Sequence, residues 1–503
     1  MKALQDAVAR PPQVGGFADT SPLHGLARRS LGPTDALAQS VAAAAPTAAA
    51  VTMPMLVAEA AGRGAGSAIV AAALLVLLVG YTIGQFARRM GAAGPLYSYA
   101  ARAFGGSGML GPAAALATGF SLLLGYACVA MFALAGSALY LADVLAYFGL
   151  GPLPGWAAAG VVVVLGACCL WLLLRGIGLS ARALLLTESA AVLVLLAALA
   201  VVLTQLPAAD VVRAGPDAGN QGLGGIASGA VLALSAFVGF ESATVLGVET
   251  RRPLRTIPRV IAWSAAGTSV LSLLATQLQL AAGITADTAP SGRAWDPVLR
   301  TAGVPGLIPA LDLGAALSFA ACSLACMTAL ARVLLTMGRE GVVPAWFGRA
   351  HPRFLTPFNA VLATVPPVTL VPAVLLAAGT GTWGPMNRII GTAATAYVAA
   401  FLLTCIAAPV FLRRIGELTF WPGAAAVTAA LALAAALVAY RVVLAGQGRH
   451  AGGWIYLVLV GGSVAWCLWR RRRGAAPADL GLYDVPTREA VLGGPAAPGG
   501  SGR

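Results

Sequence analysis

Long apolar runs, separated by short polar segments, follow one another along this chain from about residue 34 to residue 470. Each run reaches or exceeds the roughly 20 residues that an α-helix needs to cross the hydrocarbon core of a bilayer. The pattern predicts an all-α polytopic membrane protein with twelve transmembrane helices. The predicted spans are 34–62, 67–88, 108–138, 155–175, 181–204, 223–249, 257–283, 306–337, 358–379, 387–412, 421–442 and 452–470.

The two ends of the chain lack such runs. Residues 1–33 are polar, contain Pro and Gly and have no apolar core of a signal peptide, so we expect a flexible cytoplasmic tail. Residues 471–503 are low in complexity, which predicts a disordered cytoplasmic tail. The membrane domain is then 34–470, with two five-span halves at about 34–204 and 223–412, followed by helices 11 and 12 at about 421–470.

The formal net charge of +14 at pH 7 comes from basic residues that lie in the short segments between apolar runs. This scatter argues against nucleic acid as a partner, because a nucleic-acid-binding protein gathers such charge on one face. With the N-terminus inside, 25 of the 32 basic residues fall on the inside. That bias predicts that both termini are cytoplasmic. Lys2 is the only lysine, while Arg, Ala and Gly abound, a composition typical of a GC-rich bacterium and hence of its cytoplasmic membrane.

The seven cysteines all fall inside apolar runs, whereas the three histidines do not. We therefore expect small buried side chains rather than disulfides. The arrangement predicts no metal site and no cofactor.

Spans one and six contain residues that interrupt a helix. Pro46 and Pro54 each remove a backbone donor from span one, and Gly239 stands beside Glu241 in span six. Such interruptions at corresponding positions of two halves indicate a secondary transporter's binding site. Unwound backbone offers N–H groups to a carboxylate and carbonyl groups to an ammonium, the two groups of an amino acid. Pro and Gly are also common as simple kinks in membrane helices, so either break alone has a second interpretation.

Three segments, in order, resemble signatures of the amino acid–polyamine–organocation (APC) permeases. They are GPLYSYAARAFGG at 94–106, GFESATVLGVETRRPLRTIPRVI at 239–261 and ARVLLTMGREGVVPAWFGRAHPRFLTP at 331–357. Together with the span count, the resemblance covers about 30–470. It implies the LeuT-type 5+5 inverted repeat with broken helices 1 and 6, and transport by alternating access.

The resemblance also implies a substrate site at the two breaks. The substrate carboxylate would meet the backbone of span one, and the ammonium would meet carbonyl groups of span six, with two serines on or near the pocket. The residues that the resemblance assigns to these roles are Ala44, Ala45 and Thr47, then Phe237, Val238 and Phe240, and finally Ser235 and Ser242.

The chain departs from many relatives at two places. AAAAPTAAA replaces a Gly-rich break in span one, and Ala191 stands where some proton-coupled relatives carry a lysine in span five. A lysine proton switch is therefore excluded.

Acidic residues inside spans are rare and usually face a cavity or a partner. Glu241 is expected to act as gate, proton carrier or pocket wall, or else to tie freed backbone N–H groups. Glu188 carries a proton or pins a helix pair. Glu249 is expected to pair with a neighbouring loop arginine, and Tyr126 either lids the pocket or packs.

These features predict a secondary active transporter for amino acids or related amines, by symport or exchange. Its partners are a small-molecule substrate and the lipid bilayer, and it is a monomer or a homodimer. H⁺ is the possible coupling ion, and Na⁺ stays open. The alternative is an amino acid sensor on the same scaffold without net flux. An enzyme is not expected, because no nucleophile–base arrangement or metal-ligand set lies in the spans.

Overall fold

The computed structural model describes residues 21–105, 109–205, 222–282, 295–379, 383–448, 451–473 and 480–484. Within these ranges the regular structure is helical. In chain order the α-helices are α1 (Pro33–Ala44), α2 (Pro46–Ala61), α3 (Ala65–Ala87), α4 (Pro95–Phe104), α5 (Leu110–Tyr147), α6 (Gly155–Arg175), α7 (Ile177–Gln205), α8 (Gly222–Phe237), α9 (Pro253–Ala281), α10 (Trp295–Thr301), α11 (Ile308–Arg339), α12 (Phe358–Ala377), α13 (Trp383–Arg414), α14 (Phe420–Gly446), α15 (Ala451–Tyr456) and α16 (Gly462–Arg472).

The prediction of twelve apolar spans is confirmed for the part of the chain that the structure describes. Span one is α1 with α2, and span six is α8 with the 3₁₀ turn Ser242–Leu246. Span eight is α11 with the 3₁₀ turn Pro305–Leu307, and span twelve is α15 and α16 joined by the π-helical turn Leu457–Gly461. Spans two, three, four, five and seven are α3, α5, α6, α7 and α9, and spans nine, ten and eleven are α12, α13 and α14.

Prolines mark the start of several helices, as expected for a residue whose φ is preset and whose missing N–H is unused in the first turn. Pro33, Pro46, Pro95 and Pro253 each stand at the beginning of a helix. Span seven was predicted to begin at residue 257; it begins one turn earlier at Pro253.

Burial separates a central group of spans from a peripheral one. The apolar windows of spans one and eight are 83% buried, whereas that of span twelve is 17% buried. Spans three and eight form the most extensive helix pair, since Gly136 of α5 lets the ring of Phe319 on α11 approach. The centre of the bundle is therefore built from spans one, three, six, eight and ten, and spans eleven and twelve lie at its edge.

The breaks of spans one and six differ in form. Span one changes direction at Ala45 (φ 46°, ψ 60°) and continues as regular helix through Pro54, so the second proline does not interrupt it. In span six the α-helix ends at Phe237. The end lies two residues before Gly239, where the sequence predicts an interruption, and the remainder of the predicted span to residue 249 consists of a 3₁₀ turn and further turns.

Both chain ends bear ordered segments on one side of the bundle. We call residues 21–32 the N-terminal segment, residues 480–484 the C-terminal segment, and the side on which they lie the N-terminal face. Leu23 is fully buried, and the side chain of Asp484 is only 2% exposed. The expectation of wholly flexible tails is therefore corrected for these two segments; residues 1–20, 474–479 and 485–503 lie outside the described residues.

Candidate functional site

The two interrupted spans meet at the centre of the bundle. Ala45 occupies the left-handed region between α1 and α2, and its N–H is donated to the carbonyls of Val41 and Ala42. In span six, Gly239 has a φ of 106°. A Cβ at Gly239 would lie 2.4 Å from the carbonyl carbon of Ala43, so only glycine permits this contact. The unwound backbone of span six thereby lies directly against the last turn of α1.

Glu241 holds the break of span six to span three. Its side chain is fully buried. One carboxylate oxygen accepts the hydroxyl of Tyr126 at 3.0 Å, and the other accepts the backbone N–H of Gly239 at 3.1 Å. This geometry agrees with the second interpretation of Glu241, a carboxyl that ties freed backbone, and its role as gate or proton carrier stays a prediction.

Tyr126 is buried and packs against a second tyrosine, and its role as a lid stays a prediction. It is 1% exposed, and its ring meets Tyr397 edge-on with ring centroids 5.4 Å apart. Among the described residues the hydroxyl of Tyr397 has no hydrogen-bond partner. A buried hydroxyl in that condition usually faces water or a ligand, so this atom adds a polar group to the site.

Several of the predicted substrate-binding residues already have partners. The carbonyl of Phe240 accepts the hydroxyl of Ser264 on α9 at 2.9 Å. Ser235 donates to the carbonyl of Leu232 in its own helix at 2.5 Å. The carbonyl of Phe237 accepts the N–H of Phe240 at 3.3 Å. A carbonyl oxygen has two lone pairs, so the carbonyls of Phe237 and Phe240 can each accept a second hydrogen bond.

The other predicted substrate-binding residues are buried beside the breaks. They are Ala44, Ala45, Thr47, Val238 and Ser242. Among the described residues the hydroxyl of Thr47 has no partner. It therefore offers a polar atom directly after the break of span one.

Polar residues of α1 that the sequence analysis did not single out link the two broken spans. Gln39 donates its amide to the hydroxyl of Ser242 at 2.7 Å and to the carbonyl of Ala325 at 2.9 Å. The hydroxyl of Ser40 accepts the N–H of Ala243 at 2.8 Å. The sequence does contain a signal for these residues: a Gln followed by a Ser inside an apolar span. Buried polar groups in a membrane need partners, so such a pair predicts contacts to a neighbouring span.

Glu188 lies on α7 in span five and contacts span eight. It is 3% exposed and accepts the hydroxyl of Ser318 at 3.0 Å. That hydroxyl in turn accepts the N–H of Ala48, one turn past the break, at 3.4 Å. The second carboxylate oxygen of Glu188 has no partner within the described part of the chain. The chain of bonds is compatible with either predicted role, a proton carrier or a pin between helices.

A buried ion pair joins the end of span six to span eight, next to the N-terminal segment. Glu249 accepts two N–H groups of Arg332, at 2.8 and 2.9 Å, and the two side chains are 0% and 2% exposed. The expected partner, a neighbouring loop arginine, is wrong: Arg332 lies on α11 in span eight. Loop arginines remain solvated at little cost, whereas a fully buried carboxylate requires an equally buried cation.

Comparisons with known proteins agree with this architecture. A profile of the amino acid permease family matches residues 37–464. An uncharacterised transporter of Mycobacterium tuberculosis is 36% identical over 143 residues, which cover 27% of this chain and 31% of that protein. A branched-chain amino acid permease of Bacillus subtilis is 29% identical over 139 residues, covering 28% and 30%. The matches thus span about a third of the length of these relatives.

A solved structure shares the fold. The manganese transporter of Eremococcus coleocola, crystallised with an aromatic bis-isothiourea compound, superposes with a TM-score of 0.51. The match is 16% identical and covers 87% of this chain and 95% of that one. Such a likeness concerns the fold alone, and it confirms the predicted class, an all-α LeuT-type transporter fold. With the family profile covering most of its length, the chain belongs to the amino acid permease family.

Proposed function

We propose that this protein is a secondary active transporter, rather than an enzyme, and that it carries amino acids or related amines across the cytoplasmic membrane by alternating access. The N-terminal face is then the cytoplasmic one, in keeping with the excess of arginine on that side. Family membership supports the proposal, and a branched-chain amino acid permease is among the relatives. The observation that carries it is the contact of two interrupted spans at Ala43 and Gly239, with the buried carboxylate of Glu241 beside it.

The substrate is proposed to bind where the two breaks meet. The backbone around Ala44 and Ala45 and the hydroxyl of Thr47 suit a carboxylate, because α2 begins there and directs its first N–H groups to the break. The carbonyls of Phe237 and Val238 lie at the C-terminal end of α8, where a cation is favoured. An α-amino acid placed across the breaks satisfies both ends.

Opening toward the cytoplasm then requires the Glu249–Arg332 pair to separate or to move as a unit. The pair joins the end of span six to span eight, and alternating access moves such groups of helices against each other. The described structure, closed at this pair, is in our proposal a state shut toward the cytoplasm.

Proton coupling is proposed to use the two buried carboxylates at the site, Glu188 and Glu241. Each is isolated from solvent. Glu241 lies at the break of span six, and Glu188 is linked to span one through the hydroxyl of Ser318. Exchange of one substrate for another and sodium coupling are the alternatives that the experiment separates.

The test is uptake of labelled amino acids and amines into proteoliposomes under an imposed proton gradient, a sodium gradient, or internal unlabelled substrate. We expect uptake of at least one amino acid, abolished by a protonophore if protons drive it. A panel in which ligands bind, as measured by a thermal shift, while none is taken up under any of the three conditions would contradict transport. That outcome would favour the sensor.

A further inference from the structure

The C-terminal segment is bound to the N-terminal face by its last described residue. The carboxylate of Asp484 forms ion pairs with Arg28 at 2.9 Å and Arg29 at 2.5 Å, and it accepts the hydroxyl of Ser21 at 2.8 Å. The backbone N–H of Asp484 is donated to the carbonyl of Gly91 at 2.7 Å. With its side chain 2% exposed, Asp484 is enclosed by these groups rather than resting on the surface.

A second carboxylate fixes the middle of the segment. One oxygen of Glu340, directly after α11, accepts the N–H groups of Gly481 at 2.9 Å and Leu482 at 2.6 Å. The other oxygen accepts the hydroxyl of Tyr97 on α4. The carbonyl of Leu482 accepts the hydroxyl of Ser98 at 2.9 Å. Both N–H donors and a carbonyl acceptor of the segment's backbone are therefore hydrogen-bonded to side chains of the bundle.

Close packing against α4 completes the contact. Gly481 has a φ of 91°, and a Cβ there would lie 2.7 Å from the Cβ of Ala101. The guanidinium of Arg102 lies 4.4 Å from the ring centroid of Tyr483, a cation–π distance. A segment resting loosely on the surface would not require a glycine at this position, because no neighbouring side chain would approach its backbone so closely.

The groups that hold the segment belong to two sets of elements on the N-terminal face. Arg29, which binds Asp484, also donates to the carbonyls of Gly247 at 3.0 Å and Thr250 at 3.1 Å at the end of span six. The adjoining residue pair, Leu31 and Thr250, forms a parallel β-bridge, so the approach to span one is tied to span six. On the other side stand α4 and the end of span eight. The C-terminal segment therefore bridges the ends of spans one and six to α4 and span eight.

We propose that residues 480–484 form an intramolecular latch that holds the N-terminal face closed, and that undocking of this segment accompanies each opening toward that face. The proposal rests on the proposed transport cycle and on the cytoplasmic assignment of this face. The tail then regulates the carrier: whatever removes the segment shifts the population toward the state open on that side.

Native cysteines at the site report such an opening. Cys322 is 3% exposed, and its thiol lies 3.2 Å from the carbonyl of Ala43 at the break of span one. A maleimide that does not cross membranes, added to sealed vesicles of either orientation, reaches Cys322 only when the face toward it opens. Mass spectrometry of peptides then gives the labelling rate of each cysteine.

The variants are Asp484→Asn, which removes the charge between the two arginines, and Gly481→Val, which cannot approach Ala101. Glu417→Gln is the matched control, because it removes a carboxylate paired with Arg89 at 2.5 Å but 56% exposed. We expect the two latch variants to raise the labelling rate of Cys322 from the N-terminal face at least about fivefold, with the rate in the control variant unchanged.

Labelling of Cys322 at the native rate in both latch variants would overturn the latch. Since the readout needs no substrate, it is independent of the transport assay: absence of flux with increased labelling contradicts the transporter and leaves the latch intact. Labelling increased from the opposite face instead would also contradict the proposal, because the segment would then favour opening on its own side.

Discussion

Gly239 and Ala43 are in direct backbone contact, with room for no atom at the Cβ position of the glycine. The contact joins the middle of span six to the last turn before the break of span one. Whatever moves one break must therefore move the other, so the two halves of the proposed site respond together.

Substitution of Gly239 is expected to abolish uptake. Alanine at this position combines a strained φ of 106° with an overlap at 2.4 Å, and neither can relax without shifting span one. We expect Gly239→Ala to lower the initial rate of uptake at least about tenfold. Gly267→Ala on α9, where a Cβ meets nothing within 4 Å, is the control. Native uptake by Gly239→Ala would show that the contact is not required.

The carboxylate of Glu241 is expected to be needed for transport but not for insertion. Glu241→Gln keeps the size of the side chain and its bond from Tyr126 while it removes the charge. We expect uptake to fall by about tenfold or more, with native yield in the membrane and a native elution profile. Tyr126→Phe, which removes only the donor, is expected to have a smaller effect. Native flux from Glu241→Gln would exclude this residue from the mechanism.

The two roles of Glu188 predict different outcomes for one substitution. If Glu188 carries a proton, Glu188→Gln retains exchange of substrate and loses the response of uptake to a proton gradient. If it pins spans five, eight and one through Ser318, the same variant keeps its gradient response and is less thermostable. Ser318→Ala removes the hydrogen bond at 3.0 Å without touching the acid and serves as the comparison.

Breaking the Glu249–Arg332 pair is expected to be strongly destabilising. Replacing one partner leaves a buried charge without its counter-charge, at a cost of about 3–5 kcal/mol. We expect Glu249→Gln or Arg332→Gln to lower the melting temperature in detergent far more than Glu417→Gln, which breaks an exposed pair. The double variant Glu249→Gln/Arg332→Gln is expected to recover part of the loss. Equal effects of the buried and exposed changes would contradict the burial argument.

The stability of the protein is expected to depend on pH through Glu340. Burial raises the pKa of Glu340 from its ordinary value of 4.5 to about 7, against the hydrogen bonds from the C-terminal segment and Tyr97 and the charge of Arg102. The folded state therefore binds a proton that the unfolded state has released, so this contribution to stability falls as pH rises from about 4.5 to about 7. Above that range it is constant.

Glu340→Gln provides the neutral reference for this dependence. Relative to the variant, we expect the native protein to lose on the order of 2 kcal/mol between pH of about 5 and about 8, measured as the difference between their melting temperatures. A constant difference across that range would show that Glu340 keeps an ordinary pKa in the folded protein.

The spans could be predicted because each apolar run of about 20 residues is a local signal that membrane burial enforces. The break of span one could be predicted from Pro46, because the missing N–H donor of a proline is also a local signal in the sequence. Pro54 looked equivalent, yet the helix continues through it. The 3₁₀ turn after Glu241 could not be predicted, because it depends on the hydroxyl of Ser40, a residue about 200 positions away, accepting the N–H of Ala243.

The partners of the buried charged residues could not be predicted from local sequence patterns. Glu249 and Arg332 are 83 residues apart, and Arg29 and Asp484 are 455 apart. Composition predicted disorder for the C-terminal tail, because five residues with one acid and one aromatic carry no periodic signal. Their order comes from ionic and backbone contacts that exist only once the bundle has assembled.

The union of the two chain ends also has a consequence for biosynthesis. Ser21, Arg28 and Arg29 leave the ribosome before span one, whereas Asp484 leaves after span twelve, because synthesis proceeds from the N-terminus. The basic residues before span one therefore cannot pair with Asp484 until all twelve spans have been synthesised. These contacts can therefore form only after span twelve has been synthesised, and a nascent chain stalled between span twelve and Asp484 would contain the twelve spans without the ion pairs of this face.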